Sequence, residues 1–565
     1  MIDKKGIDKT VVIIVALTVI LVGVLSFVGG SATASGISRN GVEKAYATTL
    51  FGEDMLDVNI EMDDDQWQDL LKNATSEEYY PADVTVNGTK YSKVAVRAKG
   101  NTSLSQVASS GSERFSLKIK FDEYVDGQNC DGLTKLVLNN NYCDATMMKE
   151  AIVYDMFAFL GADASLYNYA KVSVNGEYTG LYLALEPVEE DFCERVYGTN
   201  YGRLYKPDSM EMGGGKGNMK NFDMDKFDEK FGPNKNNDSQ QKTEEKTEDN
   251  QAPEKPQGEM PQMKKGGQQP PDKPQGEMPQ MEGGGQPPEL PDEQQGGQQP
   301  PEMPDEQQVG QKPQQPDKQG GPNNSGNGSD LNYTDDSTDS YSTIWDGTIF
   351  DCTASDKKRV IEALKKLCDT DSSYETLSRY IDVENLAKYM AVHTFSVNLD
   401  SLSGNMTHNY YLYEQGGMLN LIPWDYNLAW GGFQSGNASS VINFSISWPF
   451  SNMSEEDRQL FANLLNCSEF KTQYYANLKK LATDYVLNGR FEERVKTIRA
   501  NIDELVKTDP TAFYSYSDYE SAQKVFVKTV KLRAQSVFKQ IDEEGATVDV
   551  ENLDLSVMGS QGGRR

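Results

Sequence analysis

Residues 398–427 read NLDSLSGNMTHNYYLYEQGGMLNLIPWDYN, and the interpretation of the whole chain depends on this stretch. Residues 410–414 and 418–422 predict two strands, because they are rich in aromatic and aliphatic side chains. The Gly416-Gly417 pair between them predicts a tight hairpin turn. A polar loop precedes the hairpin, and a second polar segment follows it.

Three polar residues flank this hairpin: Asp400 and Asn405 before it, and Asp425 after it. This layout is typical of the catalytic centre of a kinase. There the first Asp receives the substrate hydroxyl, while the Asn and the second Asp hold the divalent metal ions that bridge the phosphates. Asp and Asn are also common in ordinary turns, so the spacing alone decides nothing. The rest of the chain has to support one interpretation.

Composition excludes several classes of protein. The chain has 565 residues and a net charge of −31, which argues against general binding to nucleic acid or to anionic lipid. Its six cysteines form no C-x-x-C pair and it has only two histidines, so a Cys/His zinc site is not expected. The spacing of the cysteines leaves the disulfide state open.

The N-terminus predicts a membrane segment. Lys4, Lys5 and Lys9 precede an almost unbroken apolar run over residues 10–28, which is long enough for a spanning helix. Because positive residues stay inside, the bulk of the chain is expected outside the cytoplasm. Ala32-Thr33-Ala34 resembles a cleavage site, so a removed signal peptide is the competing interpretation.

The first ordered region is predicted to be rich in strands, with hairpin turns at Asn87-Gly88 and Asn175-Gly176. A basic, hydroxyl-rich loop follows one of these strands and is suited to presenting cations and N–H groups to phosphate. An ordinary turn is the alternative. The candidate phosphate-binding residues of this loop are Arg97, Lys99, Gly100, Asn101 and Ser103.

Two further residues predict the lysine–glutamate pair of a kinase. Lys118 lies on a strand over residues 115–121, in which apolar and polar residues alternate. Glu150 lies on a helix that begins at Asp144 and ends at Gly161. A solvated lysine and a surface glutamate are the alternatives.

Two more residues complete the candidate nucleotide site. Glu186 ends a strand before a proline-marked crossover, which is where a two-lobed kinase would hold adenine with backbone groups. Lys206 ends the region and could reach a phosphate, or could simply cap a strand.

The middle of the chain predicts disorder. It is dominated by Gln, Pro, Gly, Glu and Lys, and the segment EKPQGEMPQM at 254–263 recurs almost unchanged at 272–281. Such a composition cannot bury enough apolar surface to fold, although it leaves this insert a candidate for binding an unidentified partner. The expected segments are a membrane anchor or signal (1–35), a strand-rich lobe (50–206), the disordered insert (208–330), a helical lobe (331–550) and a disordered tail (551–565).

Several motifs together resemble the CotH family of spore-coat-type atypical protein kinases. They are R-x-K-G-N-x-S from Arg97, S-x-K-x-K-F from Ser116, VNGEYxGLY from Val174, HNYYLY from His408 and IPWD from Ile422. The resemblance covers about residues 50–206 and 340–480.

The resemblance implies an α+β, kinase-like, two-lobed fold that binds ATP with Mg²⁺ or Mn²⁺ and phosphorylates Ser or Thr of a protein. Asp400 would be the catalytic acidic residue and Asp425 the main metal ligand. The spacing of the loop, rather than the resemblance, adds Asn405 as a second ligand, and Asn427 is a further candidate. Family members often carry Asp-x-Asp after the tryptophan, whereas this chain has Asp425-Tyr426-Asn427. Asn keeps an oxygen ligand and loses a charge, which puts metal affinity in question.

The sequence therefore predicts a single-pass kinase of a bacterial cell membrane, with its catalytic part outside the cytoplasm, or a secreted protein if the leader is cleaved. One alternative is a non-catalytic cell-surface binding or structural protein on a kinase-like scaffold. A further alternative transfers AMP from the same nucleotide site, because the type of site does not determine which phosphorus is attacked.

Overall fold

The computed structural model describes residues 36–207 and 327–561, except residue 435. The predicted anchor, residues 208–326 of the predicted insert and residues 562–565 lie outside this part of the chain. Among the described residues, no helix combines the length and the apolar character needed to cross a bilayer.

Seven strands of the first half close into a barrel, and their order around it is β1-β2-β3-β4-β5-β7-β6. All neighbours are antiparallel except β1 and β6, which are parallel. The strands are β1 Leu56–Glu61, β2 Tyr80–Val86, β3 Thr89–Lys99, β4 Ser116–Lys120, β5 Lys135–Asn139, β6 Tyr167–Val174 and β7 Glu177–Leu185.

Alternation of side chains divides each barrel strand between two environments. On β4, Leu117 and Ile119 are buried inside the barrel, as the sequence pattern predicts, and Lys118 lies on the outer face. The predicted hairpin turns are confirmed. Asn87-Gly88 and Asn175-Gly176 all have positive φ, which is the conformation that a two-residue turn of type I′ requires.

Helices lie before, between and after the barrel strands. The most buried of them is α4, whose glutamate and lysine are enclosed along with its apolar residues. It ends at Gly161, whose φ of 68° provides the left-handed cap. The helices are α1 Tyr46–Thr49, α2 Asp64–Lys72, α3 Thr102–Ser110, α4 Lys149–Leu160 and α5 Glu190–Tyr197.

The second half is mainly helical and contains one small antiparallel sheet, in the order β10-β9-β8. Its strands are β8 Arg203–Tyr205, β9 Tyr410–Gln415 and β10 Met418–Pro423. The helices of this half are α6 Ser342–Asp346, α7 Ala354–Leu367, α8 Tyr374–Tyr380, α9 Val383–Ser396, α10 Ala438–Ile442, α11 Gln459–Asn466, α12 Ser468–Lys480, α13 Arg490–Thr508 and α14 Tyr516–Asp542. A π-helical segment, Leu481–Leu487, joins α12 to the turn before α13.

The barrel is fixed to the helical half by a buried ion pair. The Nη1 of Arg114 lies 2.8 Å from the Oδ2 of Asp509, and both side chains are 0% exposed. The same Oδ2 accepts the N–H of Leu181 on β7 at 2.9 Å. Asp509 follows α13, so this contact joins the end of a helix to two barrel segments.

The predicted α+β class is confirmed, whereas some details of the prediction were wrong. Barrel closure was not foreseen, because it depends on the distant pairing of β1 with β6. Residues 327–330, predicted as part of the disordered insert, belong to the described structure, and Ser329 and Asp330 are buried. Residues 551–561, predicted as part of a disordered tail, instead carry a short helix, Leu555–Met558, whose first and last residues are buried.

Candidate functional site

The outer face formed by residues 97–99 at the end of β3 and by strands β4 and β5 carries five cations. Most of them are already paired with carboxylates: Arg97 with Glu77 at 2.9 Å, Lys118 with Glu189 at 2.5 Å and Lys120 with Glu123 at 2.6 Å. Lys135 shares Glu189 with Lys118. In the described part of the chain, Lys99 is the cation of this face that makes no ion pair within 4 Å.

Lys99 is instead connected to Glu150 through an amide. Its Nζ donates to the Oδ1 of Asn139 on β5 at 2.9 Å, and the Nδ2 of Asn139 donates to the Oε2 of Glu150 at 2.9 Å. The predicted pairing of Lys118 with Glu150 was therefore wrong. Lys118 lies on the predicted outer face of the barrel, but its Nζ pairs with Glu189. Lys99 is the lysine that is linked to the helix glutamate.

Burial dominates the electrostatics of this trio. Burial and, after it, the nearby Asp425 carboxylate together raise the pKa of Glu150 to about 8, against the opposing effect of the hydrogen bond from Asn139. Burial also lowers the pKa of Lys99, which Lys206 and Lys118 reinforce by repulsion. The attraction of Asp425 and Glu150 works in the other direction on Lys99.

The predicted phosphate loop is occupied by a carboxylate from within the chain. The N–H of Gly100 donates to the Oε1 of Glu77 at 3.1 Å, and this oxygen also meets Arg97. Gly100 has φ 141°, so the turn into α3 favours glycine. Asn101 and Ser103 lie at the start of α3, beside the end of β3 that carries Lys99.

Glu186 does not face the cleft. Its side chain is 0% exposed and accepts hydrogen bonds from Arg195, Tyr46 and the N–H of Leu166. Its own N–H donates to the Leu166 carbonyl at 3.0 Å. The predicted adenine contact at Glu186 was therefore wrong, because both its backbone N–H and its carboxylate are used within the barrel half.

Lys206 and Lys99 each lie over an aromatic ring. The Nζ of Lys206 is 5.9 Å from the centre of the Tyr411 ring, and the Nζ of Lys99 is 5.5 Å from that of Trp424. The two rings pack edge to face at 5.6 Å. These contacts bring the end of β3 against the hairpin β9–β10, so the two halves of the chain meet at one cleft.

Asp400 is oriented by two neighbours from the start of the HNYYLY motif. Its Oδ1 lies 2.9 Å from the Nε2 of His408, and its Oδ2 accepts the amide of Asn409 at 3.0 Å. Asn409 also donates to the Asp400 carbonyl at 2.8 Å. The carboxylate therefore has a fixed orientation while part of it stays accessible.

The loop that carries Asp400 is tightly closed. The N–H of Gly404 donates to the Ser401 carbonyl at 3.0 Å, and a Cβ at Gly404 would lie only 1.9 Å from the Leu399 carbonyl oxygen. Buried Arg458 donates to the carbonyls of Leu402 and Gly404 at 3.1 and 3.0 Å. Asn405 follows this closure and is exposed; within the described ranges, no hydrogen bond ties it to Asp400 or Asp425.

Asp425 lies across the cleft from Lys99. Its backbone is left-handed, with φ 59°, and among the described residues no side chain donates a hydrogen bond to its carboxylate. Burial raises the pKa of Asp425, and repulsion from Asp400 adds to this, while Lys99, Lys206 and His408 oppose it. The two carboxylates are thus close enough to disfavour one another when both are charged.

This arrangement suits a divalent cation. In the part of the chain that the structure describes, no three side chains of His, Cys, Asp or Glu converge on one point. Mg²⁺ bound with a nucleotide needs only one or two carboxylates, because phosphate and water oxygens complete its shell. Asp425, which lacks a donor and is repelled by Asp400, meets this requirement. The third predicted ligand, Asn427, uses its Nδ2 to donate to the Tyr142 carbonyl at 3.0 Å.

Several residues of the site were missed from the sequence. Asn139 was not considered because no strand was predicted at residues 135–139, although KLVLN ends in a polar residue beside apolar ones. His408 and Asn409 were noted only as part of a motif. Their closeness to Asp400 in the sequence, within nine residues, was an available signal.

Comparisons with known proteins identify the family of this chain. Residues 96–260 and 302–537 match the model of the CotH kinase protein family. Among curated proteins, the inner spore coat protein H of Bacillus subtilis (strain 168) is 25% identical over 161 residues. That match covers 28% of this chain and 41% of the relative, so the chain spans less than half of the relative's length.

Proposed function

Because the chain belongs to the CotH kinase protein family, we propose that it is an ATP-dependent atypical protein kinase. It would transfer the γ-phosphoryl group of ATP to a Ser or Thr of an extracytoplasmic or cell-surface protein. The fold would correspond to a kinase-like pair of lobes, in which the barrel is the strand-rich lobe and the second half is the helical lobe.

One observation carries this proposal. The Lys99–Asn139–Glu150 trio of the barrel half faces Asp400 and Asp425 of the helical half, and the charges of the two sets influence each other. A lysine linked to a helix glutamate, opposite two loop carboxylates, is the set of groups that phosphoryl transfer uses for charge neutralisation and proton acceptance.

The residues have distinct roles in this mechanism. Lys99 and Lys206 would neutralise the phosphate oxygens, and Glu150 would hold Lys99 in place through Asn139. Asp400 would accept the proton of the substrate hydroxyl, since His408 and Asn409 fix its direction. Positioning and electrostatic stabilisation would supply most of the rate, as is general for this reaction.

A divalent cation, Mg²⁺ or Mn²⁺, would offset the charge of the nucleotide phosphates. Asp425 would hold it, with the Oδ1 of Asn427 as a further oxygen. Asn405 is exposed on the same loop as Asp400, and it would be a ligand only after the loop moves.

The two alternatives drawn from the sequence are kept as outcomes of the test. AMP transfer needs the same nucleotide site, and no observed contact determines which phosphorus Asp400 would face. A non-catalytic surface scaffold is favoured by the ion pairs that already occupy Arg97 and Lys118. Because the first 35 residues lie outside the described structure, placement at a bacterial membrane remains part of the proposal.

The test uses the full-length chain with ATP labelled separately at the γ- and α-phosphates, Mg²⁺ or Mn²⁺, and acidic and basic protein acceptors. Asp425→Ala is the inactive control, and Asp549→Ala, an exposed aspartate remote in sequence, is the matched one. Transfer of γ-label that Asp425→Ala abolishes supports the kinase. Transfer of α-label shows AMP transfer. If no label is transferred and no metal-dependent binding of nucleotide is found, the non-catalytic surface scaffold is the interpretation that stands.

A further inference from the structure

Asn427 joins two parts of the site that are far apart in the sequence. It lies two residues after Asp425, and its Nδ2 donates to the carbonyl of Tyr142 at 3.0 Å. Tyr142 belongs to the segment 140–148, which connects β5, the strand of Asn139, to α4, the helix of Glu150. One hydrogen bond thus links residues 425–432, the Asp425 loop, to the segment that connects Asn139 to Glu150.

The segment 140–148 requires support from its surroundings. Asn141, Cys143 and Met147 all have left-handed backbones, with φ 58°, 60° and 56°, which non-glycine residues adopt infrequently. Such conformations persist only where neighbouring structure imposes them. The contacts that reach this segment therefore decide where α4 and Glu150 lie.

Arg114, Tyr169 and Gln523 each make a hydrogen bond to this segment, and residues 555–561 provide further contacts. The N–H of Ala145 donates to the Met558 carbonyl at 3.0 Å, and the buried Nζ of Lys149 donates to the Gly559 carbonyl at 3.1 Å. Gly559 has φ 82°, and a Cβ there would lie 2.6 Å from the Cys143 carbonyl oxygen.

The same residues also reach the Asp425 loop, because the N–H of Gln561 donates to the Gly432 carbonyl at 2.8 Å. The segment 140–148, the loop 425–432 and residues 555–561 form a three-way junction, and Asn427 provides its direct connection between the first two.

We propose that Asn427 is a positioning residue, which holds the Asp425 loop against the Glu150 segment through its N–H donor, and that this role explains why an amide stands there. A carboxylate at this position could not donate, and it would place a negative charge beside the Tyr142 carbonyl oxygen. The effect of Asn427 on phosphoryl transfer rests on the proposed function, whereas its effect on segment 140–148 does not.

The test compares the full-length chain with Asn427→Asp and Asn427→Ala. Asn200→Asp, an exposed asparagine outside the site, makes the same chemical change elsewhere. Amide hydrogen exchange of residues 140–148 is measured without metal or nucleotide. We expect both Asn427 variants to exchange about 2- to 10-fold faster there, which is the range for loss of one hydrogen bond, and Asn200→Asp to match the wild type.

Mn²⁺ affinity and turnover are measured on the same proteins. We expect Asn427→Asp to lower turnover without weakening Mn²⁺ binding, since it keeps an oxygen and adds a charge. The proposal is overturned if both variants leave exchange in 140–148 unchanged, or if Asn427→Asp restores turnover above the wild type. If neither the wild type nor any variant transfers phosphate, the proposed function fails. The exchange measurement still decides the role of Asn427 in that case.

Discussion

Two of the edges at which the barrel half meets the helical half are built differently. At one edge, the Arg114–Asp509 ion pair is fully buried and is supported by the N–H of Leu181. At the cleft edge, the Asp425 loop makes two hydrogen bonds to the barrel half: the Nδ2 of Asn427 donates to the Tyr142 carbonyl, and the N–H of Tyr426 donates to Glu150 at 3.4 Å. The first edge joins charges that water cannot reach, and the second joins the Asp425 loop to the barrel half through hydrogen bonds of backbone and amide groups.

This difference indicates which edge is fixed and which can adjust. Breaking a buried ion pair leaves an uncompensated charge, so that edge separates only at high cost. Neutral hydrogen bonds each contribute far less. A nucleotide that enters between Lys99 and Asp425 would therefore be accommodated by movement at the cleft edge, with the opposite edge as the fixed end.

The largest effect is expected from breaking the fixed edge. Arg114→Met leaves the Asp509 carboxylate buried without its cation, and we expect it to lower the free energy of unfolding by about 3–5 kcal/mol. Urea denaturation measures this. The double variant Arg114→Met/Asp509→Leu removes both charges and should recover a substantial part of the loss. A loss below about 1 kcal/mol in the single variant would mean that this pair does not hold the edge.

The second prediction separates the two lysines of the barrel face. Lys99→Met removes the cation linked to Glu150, and we expect kcat/KM for phosphate transfer to fall about 100-fold or more. Lys118→Met removes a lysine that Glu189 already neutralises, and we expect a loss of less than about 10-fold. Steady-state kinetics of both variants tests whether Lys99→Met causes the larger loss of kcat/KM. The reverse order would restore the original expectation that Lys118 is the functional lysine.

The third prediction concerns pH. Burial raises the pKa of Glu150 to about 8 from its ordinary value of 4.5, so the folded chain binds one more proton than the unfolded chain between these values. Stability contributed by this group is therefore present at low pH and is lost as pH rises through about 8. Glu150→Gln removes this dependence.

Thermal unfolding at pH 5.5 and pH 8 tests this, and we expect the wild type to lose about 1–3 °C more than the variant. Parallel pH dependence of the two proteins would show that Glu150 is ionised in the free site.

The smallest effect is expected from a hydrogen bond beside the fixed edge. The Tyr178 hydroxyl on β7 donates to the Leu505 carbonyl at 3.1 Å. Tyr178→Phe should cost about 0.5–1.5 kcal/mol and leave transfer kinetics unchanged. A change in kinetics as large as that of Lys99→Met would show that the two edges are coupled, and would end the distinction between them.

Local features of this fold were predictable because they depend on neighbouring residues. The turns at Asn87-Gly88 and Asn175-Gly176 follow from backbone preferences, and the alternation in β4 follows from burial of one face. The hairpin β9–β10 was predicted to within one residue. This prediction correctly placed Asp400 and Asp425 on either side of one hairpin.

The features that were not predictable depend on distant pairing. Alternation assigns Lys118 to the outer face, but it cannot name the partner, which comes from Glu189 after β7. Lys99 is chosen by Asn139 and Glu150, and these meet it only once β3, β4 and β5 are in register. Glu186 was misplaced for the same reason, because Arg195 and Tyr46 approach it from other elements.

The closed loop at Gly404 has a consequence for how sequence variation in this chain should be understood. A side chain there would strike the Leu399 carbonyl, so every substitution would displace the adjoining loop, although Gly404 performs no chemistry. In a saturation library selected for activity, position 404 should be as intolerant as position 400. Intolerance to substitution in this loop would then report a requirement on the backbone conformation as well as on the reacting groups. A set of essential positions would therefore include residues that take no part in the chemistry.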